Sequence, residues 1–236
     1  MISVTRFDDL GSFRNDWLDA HYHFSFAGYR DPDRMGLGPL RVWNDDEIRP
    51  HTGFDPHPHR DMEIITYVRQ GAITHEDSLG NKGRTEAGDV QVMSAGTGIV
   101  HSEHNLEDGP TRLFQIWIQT DKRGHEPRWD ARKFPKVPVA DALPVLASGR
   151  TGDDGALMIH TDAAVLGGRI AQGASVSHGI EPGRAAYLVV AEGSVTVNGE
   201  TLPARAGVAI TDVDAVTVEA TGGEAEVVLV DVPLAA

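Results

Sequence analysis

Apolar residues in this chain fall in short runs, each closed by residues that favour turns. Between residues 41 and 117 the runs 61–68, 72–75, 89–93 and 112–119 have strand character, with apolar and polar positions trading places at a period near two. Ser78, Leu79, Gly80 and Asn81 supply turn chemistry between two of these runs, and Gly96-Thr97-Gly98 marks another. Residues 121–144 differ: Gly124 and prolines 127, 135, 138 and 144 break the pattern among scattered charges. We expect an interdomain crossing there, with a boundary near residue 135. Few segments carry a helical period; a turn or two of helix is expected at 121–134 and at 16–22.

The second half repeats the first. Within 65–74, residues 66–74 can be laid on 188–196 so that Gly71 faces Gly193, and in each half a second glycine, Gly88 or Gly207, follows an alanine. Two copies of one β unit with hairpins of different length account for this. Short strands, glycine turns and duplication predict an all-β protein of two antiparallel barrels or jelly rolls packed together, 1–135 and 136–236.

Composition sharpens that picture. The 26 glycines and 13 prolines among 236 residues suit many short strands and tight turns. A net charge of −14 without any offsetting basic run excludes nucleic acid as a natural partner, since such affinity comes from Lys and Arg neutralising phosphates. The absence of cysteine excludes disulfides, thiolate ligands and cysteine nucleophiles. Residues 1–17 carry charges and no apolar core of a signal peptide, and no run approaches the ~20 apolar residues of a spanning helix. A cytoplasmic protein without a membrane partner is therefore expected.

Candidate chemistry lies in two clusters among eleven histidines. In an extended chain, residues i and i+2 share a face. His57 and His59, separated by Pro58, can thus present two imidazoles to one ion; Glu63 shares their parity. His101 and Glu103 share a face in the second cluster, with Ser102 and His104 pointing away. Three imidazoles and a carboxylate suit a borderline divalent metal. The other histidines read as surface or core groups, including the His21/His23 pair, which lacks a glycine-and-carboxylate frame. No Gly-x-Ser-x-Gly elbow and no glycine-rich phosphate loop is present.

These residues also carry a resemblance. Gly53, His57, His59, Glu63 and Gly71 resemble the first cupin motif, and the stretch from Gly88 through Gly96 to His101 and Asn105 resembles the second. The second departs from the general form, with Ser94 where proline is common and two extra residues before His101. That departure is itself pirin-like: residues 94–103, Ser-Ala-Gly-Thr-Gly-Ile-Val-His-Ser-Glu, are very similar to the pirin signature, as are 23–27 and 75–81. The resemblance is dense from Trp17 to Trp117 and thin afterwards.

A pirin-type bicupin implies one metal ion in the N-terminal half, held by His57, His59, His101 and Glu103. Generic cupins would use Glu63; parity does not choose between them, and the pirin resemblance selects Glu103. It implies Fe(II) first, with Cu, Ni, Co, Mn or Zn next. It further implies a quercetin 2,3-dioxygenase acting on a small aromatic substrate and O2, with Glu103 as the catalytic base. A redox-responsive regulator working through a protein partner is the alternative the family offers. Counting back from Gly193 puts Gly179 opposite His57, Glu181 opposite His59 and Ala185 opposite Glu63, with His178 out of register; counting forward from Gly207 puts Ala220 opposite His101. The C-terminal half is accordingly expected to lack a metal site.

Overall fold

A computed structural model describes residues 1–234, and it is a duplicated β structure. In the N-terminal half a seven-stranded sheet runs, in spatial order, Arg128–Arg132, Val90–Ser94, Met62–Gln70, Thr111–Gln119, Leu40–Ile48, Leu18–Tyr22 and Gly11–Arg14. A four-stranded sheet of Thr52–His59, Ile99–Asn105, Ala72–Asp77 and Lys82–Glu86 faces it. The C-terminal half repeats this as Ile2–Thr5, Gly207–Thr211, Arg184–Glu192, Ala225–Pro233, Ala164–Ile170, Val145–Ser148 and Leu157–Met158, over Ser175–Gly179, Ala215–Ala220, Ser194–Val197 and Glu200–Pro203. These are the two jelly rolls of a bicupin. The first strand, Ile2–Thr5, pairs with Gly207–Thr211, so it lies beyond the boundary expected near residue 135.

The two large sheets pack face to face, so their central strands are buried on both sides. In Met62–Gln70, Ile65 and Tyr67 join Val189, Val228 and Val230 in a core shared by both halves, while Ile64 and Val68 fill the N-terminal barrel. Arg184–Glu192 does the same in mirror fashion, with Tyr187 and Val189 shared and Leu188 and Val190 inside their own barrel. Each such side chain contributes roughly 1.5–3 kcal/mol by leaving water. Polar groups cross the same interface. Asp45 is buried and takes hydrogen bonds from Arg69 of its own half and, at 2.6 Å, from Arg205 Nε of the other. Glu226 accepts from the Tyr67 hydroxyl.

Two expectations need correction. Residues 18–22 are a strand, because Leu18, Ala20 and Tyr22 are buried in alternation, a period of two that two turns of helix could not satisfy. Residues 121–134 carry strand Arg128–Arg132 against Val90–Ser94. Among the described residues the one helical element is the 3-10 turn Phe7–Asp9, and no helix is long and apolar enough to cross a membrane.

The repeat is real at its first glycine and displaced at its second. Gly71 and Gly193 both sit at the junction of consecutive strands with φ near 71° and 79°. Gly88, however, donates its N–H to Val68, and the matching bond to Val190 comes from Arg205, which adopts φ 67°. Gly207 is a glycine for another reason: a Cβ there would lie 2.4 Å from the Tyr187 hydroxyl and 2.6 Å from His23 Nδ1. Those two atoms are joined by a buried 3.0 Å hydrogen bond between the halves.

Asp231, inside the C-terminal barrel, is held by His178 (2.8 Å), Arg184 (2.8 Å) and Arg150 (2.7 Å). Burial alone would raise its pKa, but these donors outweigh it and hold the carboxyl at about 2, against 3.8 for the free group. Because the folded pKa is depressed, the stabilisation of about 2 kcal/mol is complete above the unfolded value and is lost as pH falls towards 2. Asp231→Asn should therefore lower the urea unfolding free energy by about this amount near neutrality, and the gap from wild type should narrow between about pH 4 and pH 2.

Candidate metal centre

The pairing of Thr52–His59 with Ile99–Asn105 brings the histidines together. His57 lies directly opposite His101. The register then slips, so that Glu103 pairs with Phe54 instead of Asp55. Asp55 and Pro56 together oppose the single residue Ser102, and proline cannot donate to the ladder, which makes this a natural place for a bulge. The slip changes parity: Phe54, His57 and His59 all line the barrel cavity, while Asp55 turns outward. On the central strand, strict alternation buries Ile99, His101, Glu103 and Asn105.

One nitrogen from each of His57, His59 and His101 lies within 4.8 Å of the other two, a grouping able to hold a metal ion. Glu103 falls in a second trio with His75 and His101, and it lines the same cavity. Burial first, then the neighbouring imidazoles, lowers the pKa of His59 to about 4 and of His101 to about 2. Both rings are therefore neutral at physiological pH, the state in which imidazole ligates.

Hydrogen bonds assign the tautomers. His57 Nδ1 is 2.7 Å from the Asp55 carbonyl, so it carries the proton and Nε2 presents a lone pair. His75 Nε2 donates to Asp77 Oδ2 at 2.9 Å, leaving its Nδ1 to accept from His101 Nδ1 at 3.4 Å. His101 Nε2 is thereby also a lone pair, and it faces His57 Nε2 at 3.1 Å. Two lone pairs at that distance repel unless a cation lies between them. The donor set fits a divalent ion on that observation.

His75 and Asp77 were not singled out among the candidate ligands. Their i, i+2 spacing was the available signal, since it puts both on the face turned to His101. Asp77 is fixed by Asn81 Nδ2 (2.9 Å) and the backbone N–H of Leu79 (2.9 Å), and His75 stacks on Trp129 at 5.0 Å. Gly83 makes room for that indole: a Cβ would lie 2.1 Å from it. Asp77, His75 and His101 thus form a chain that orients the imidazole and raises its basicity.

The two carboxylates part company. Glu103 is buried and accepts from Thr66 Oγ1 (3.1 Å), Gln91 Nε2 (2.7 Å) and Gln115 Nε2. Burial raises its pKa, opposed by His75 and by the Thr66 and Gln115 donors. Glu63 lies on the opposite face of its sheet, where it accepts from Ser94 Oγ (2.6 Å) and meets His160 of the other half at 3.3 Å. Parity counted from His57 does not survive to residue 63, because Asp61 sits in a turn with φ 49° between two different sheets. His21 packs on Phe7, and His23 is buried at the interface.

The C-terminal half corrects the count made from Gly193. Val197 pairs with Val218 as His75 pairs with Glu103, and His178 pairs with Val216 as His57 pairs with His101. His178, not Gly179, is therefore the counterpart of His57, and Val216, not Ala220, that of His101. One more residue between this strand and Gly193 than between His57 and Gly71 makes the difference. Valines replace His101 and Glu103, and His178 is taken by Asp231.

Comparison with known proteins finds matches to both halves of the chain. The family model for pirin matches residues 5–118, and the model for the quercetinase C-terminal cupin domain matches 145–232. A pirin-like protein of Caulobacter vibrioides is 55% identical over 98% of this chain and 99% of its own length. A quercetin 2,3-dioxygenase of Escherichia coli K12 is 39% identical over 99% of each chain. The crystal structure of the E. coli bacterial pirin YhhW in complex with nickel(II) superposes with a TM-score of 0.91 at 39% identity, covering 99% of each chain.

His75→Ala should weaken binding of a divalent ion by about 10–100-fold in a competition titration, with unchanged far-UV circular dichroism. Unaltered affinity would show that the Asp77–His75 chain does not position His101.

Proposed function

The chain belongs to the pirin family, and from that premise we propose that it is a metal-dependent dioxygenase that cleaves flavonols such as quercetin with O2. His57, His59, His101 and Glu103 hold one divalent ion, Fe(II) first. The observation that carries this reading is the pair of facing Nε2 lone pairs, 3.1 Å apart, at the wall of a largely apolar cavity of about 210 Å3. The nickel in the E. coli YhhW structure and the dioxygenase name of the E. coli K12 relative support it.

A bound ion would supply Lewis acidity to a hydroxyl oxygen of the substrate and a template for O2. The rest falls to side chains. Leu18, Phe26, Phe54 and Trp117 offer walls suited to a flat aromatic ring and exclude water from it. Glu103 accepts the proton of the flavonol 3-hydroxyl, which makes the heterocycle electron-rich enough to react with O2. Both atoms of O2 enter the cleaved product and carbon 3 leaves as carbon monoxide, so no external reductant is needed. Thr66, Gln91 and Gln115 keep the carboxylate in place, and one of its bonds must loosen as the proton arrives.

Anaerobic loading with each candidate metal, followed by O2 uptake with quercetin, tests the proposal. Wild type should consume O2 and release carbon monoxide, and His101→Ala should not. Stoichiometric metal binding without uptake under any metal would overturn the reaction. Glu103→Gln should lower kcat by about 10²–10⁴-fold, whereas Glu63→Gln should keep metal and turnover; the reverse pattern would transfer the role to Glu63.

A further inference from the structure

The cavity holds polar groups that neither the ion nor the base accounts for. Strand Leu40–Ile48 turns Trp43 and Asp45 towards the other half and Asn44 and Asp46 towards the cavity. Asn44 is 5% and Asp46 2% exposed, yet Asn44 Oδ1 and Asp46 Oδ1 are enclosed without a hydrogen-bond partner among the described residues. Buried polar atoms are almost always paired, and exceptions gather at functional sites. The adjacent Asp45 shows the contrast, since two guanidinium groups engage it.

None of the paired neighbours donates to the orphaned oxygens, the Tyr22 hydroxyl included. Leu18–Tyr22 places Tyr22 opposite Asn44 and Ala20 opposite Asp46. Thr111–Gln119 places Gln115 opposite Asn44 and Leu113 opposite Asp46. Alanine and leucine have nothing to donate. Gln115 is committed at both ends, its Nε2 to Glu103 and its Oε1 to Trp117 Nε1 at 3.2 Å.

We propose that Asn44 and Asp46 form a polar recognition edge on the cavity wall that binds hydroxyl groups on the aromatic substrate's rings and so selects hydroxylated over bare aromatic substrates. This rests on the function proposed above and adds a substrate requirement to it: ring hydroxyls besides the one at the ion. Burial, then Asp45 and Glu103, pushes the Asp46 carboxyl up, with Arg69 opposing. A hydroxyl both donates and accepts, so it can satisfy either form of the acid. Bare aromatic surface leaves both oxygens unpaired, which is how a site built for hydrogen bonding rejects an analogue lacking the group.

The test uses the full chain loaded with redox-inert zinc, so that binding is read without turnover. Dissociation constants for quercetin and 3-hydroxyflavone, which keeps only the 3-hydroxyl, are measured by tryptophan fluorescence for wild type, Asn44→Leu, Asp46→Leu and Asp46→Asn. Wild type should prefer quercetin by about tenfold or more. Either leucine variant should shrink that ratio by weakening quercetin alone, with unchanged zinc affinity and a thermal midpoint no lower than wild type. Asp46→Asn should restore most of the preference. Equal weakening of both ligands, or an unchanged ratio, would overturn the edge. The pair 2,6-dihydroxynaphthalene and 2-naphthol, which differ only in the hydroxyl beyond the one at the ion, separates the two proposals. A diol preference that falls in Asp46→Leu, with no flavonol bound, overturns the flavonol reaction and keeps the edge; a diol preference that Asp46→Leu leaves intact overturns the edge.

Discussion

The bulge at Asp55 and Pro56 is the local constraint on which the site depends. One register slip lets Phe54 face the cavity three residues before His57, and it turns the Asp55 carbonyl to where it can accept the His57 Nδ1 proton. Without it, strand parity would direct Asp55 inward and Phe54 outward. The apolar wall, the tautomer of His57 and the approach of its Nε2 to His101 all follow from that slip.

Depth supplies the rest of the chemistry. Burial lowers the pKa of His59 and His101, so their rings stay neutral, and the Asp77–His75 chain fixes which nitrogen of His101 faces the cavity. Glu103 is equally deep, but three donors surround it and make a carboxylate tolerable there. Asn44 and Asp46, at similar depth, have no such partners. Paired and unpaired polar groups on adjoining walls thus divide the cavity into a part built for an ion and a part open to a ligand.

Duplication shows how one frame serves two ends. Both halves place corresponding strands in the same order in the small sheet and in the middle of the large one, and both use a central strand buried on two faces. Where the N-terminal barrel carries His57, His101 and Glu103, the C-terminal barrel carries His178, Val216 and Val218. His178 is tied to Asp231 with two arginines, so the counterpart of His57 belongs to an internal ion-pair network.

By itself the sequence determined the all-β class, the central strands, the duplication about Gly71 and Gly193, and the three histidines, because alternation and turn chemistry are local properties of the chain. It misread 16–22 and 121–134, where short alternation among charged residues looks aperiodic until a neighbouring strand covers one face. Tertiary structure alone decided which carboxylate meets the cavity, since the turn at Asp61 and the bulge at Pro56 break the parity that a count along the chain assumes. It also decided that His178 points inward, that Arg205 takes the place of Gly88, and that Asn44 and Asp46 face the histidines. A strand's period is two, so a single inserted residue exchanges its faces, and only the pairing of strands distant in sequence shows where that residue falls.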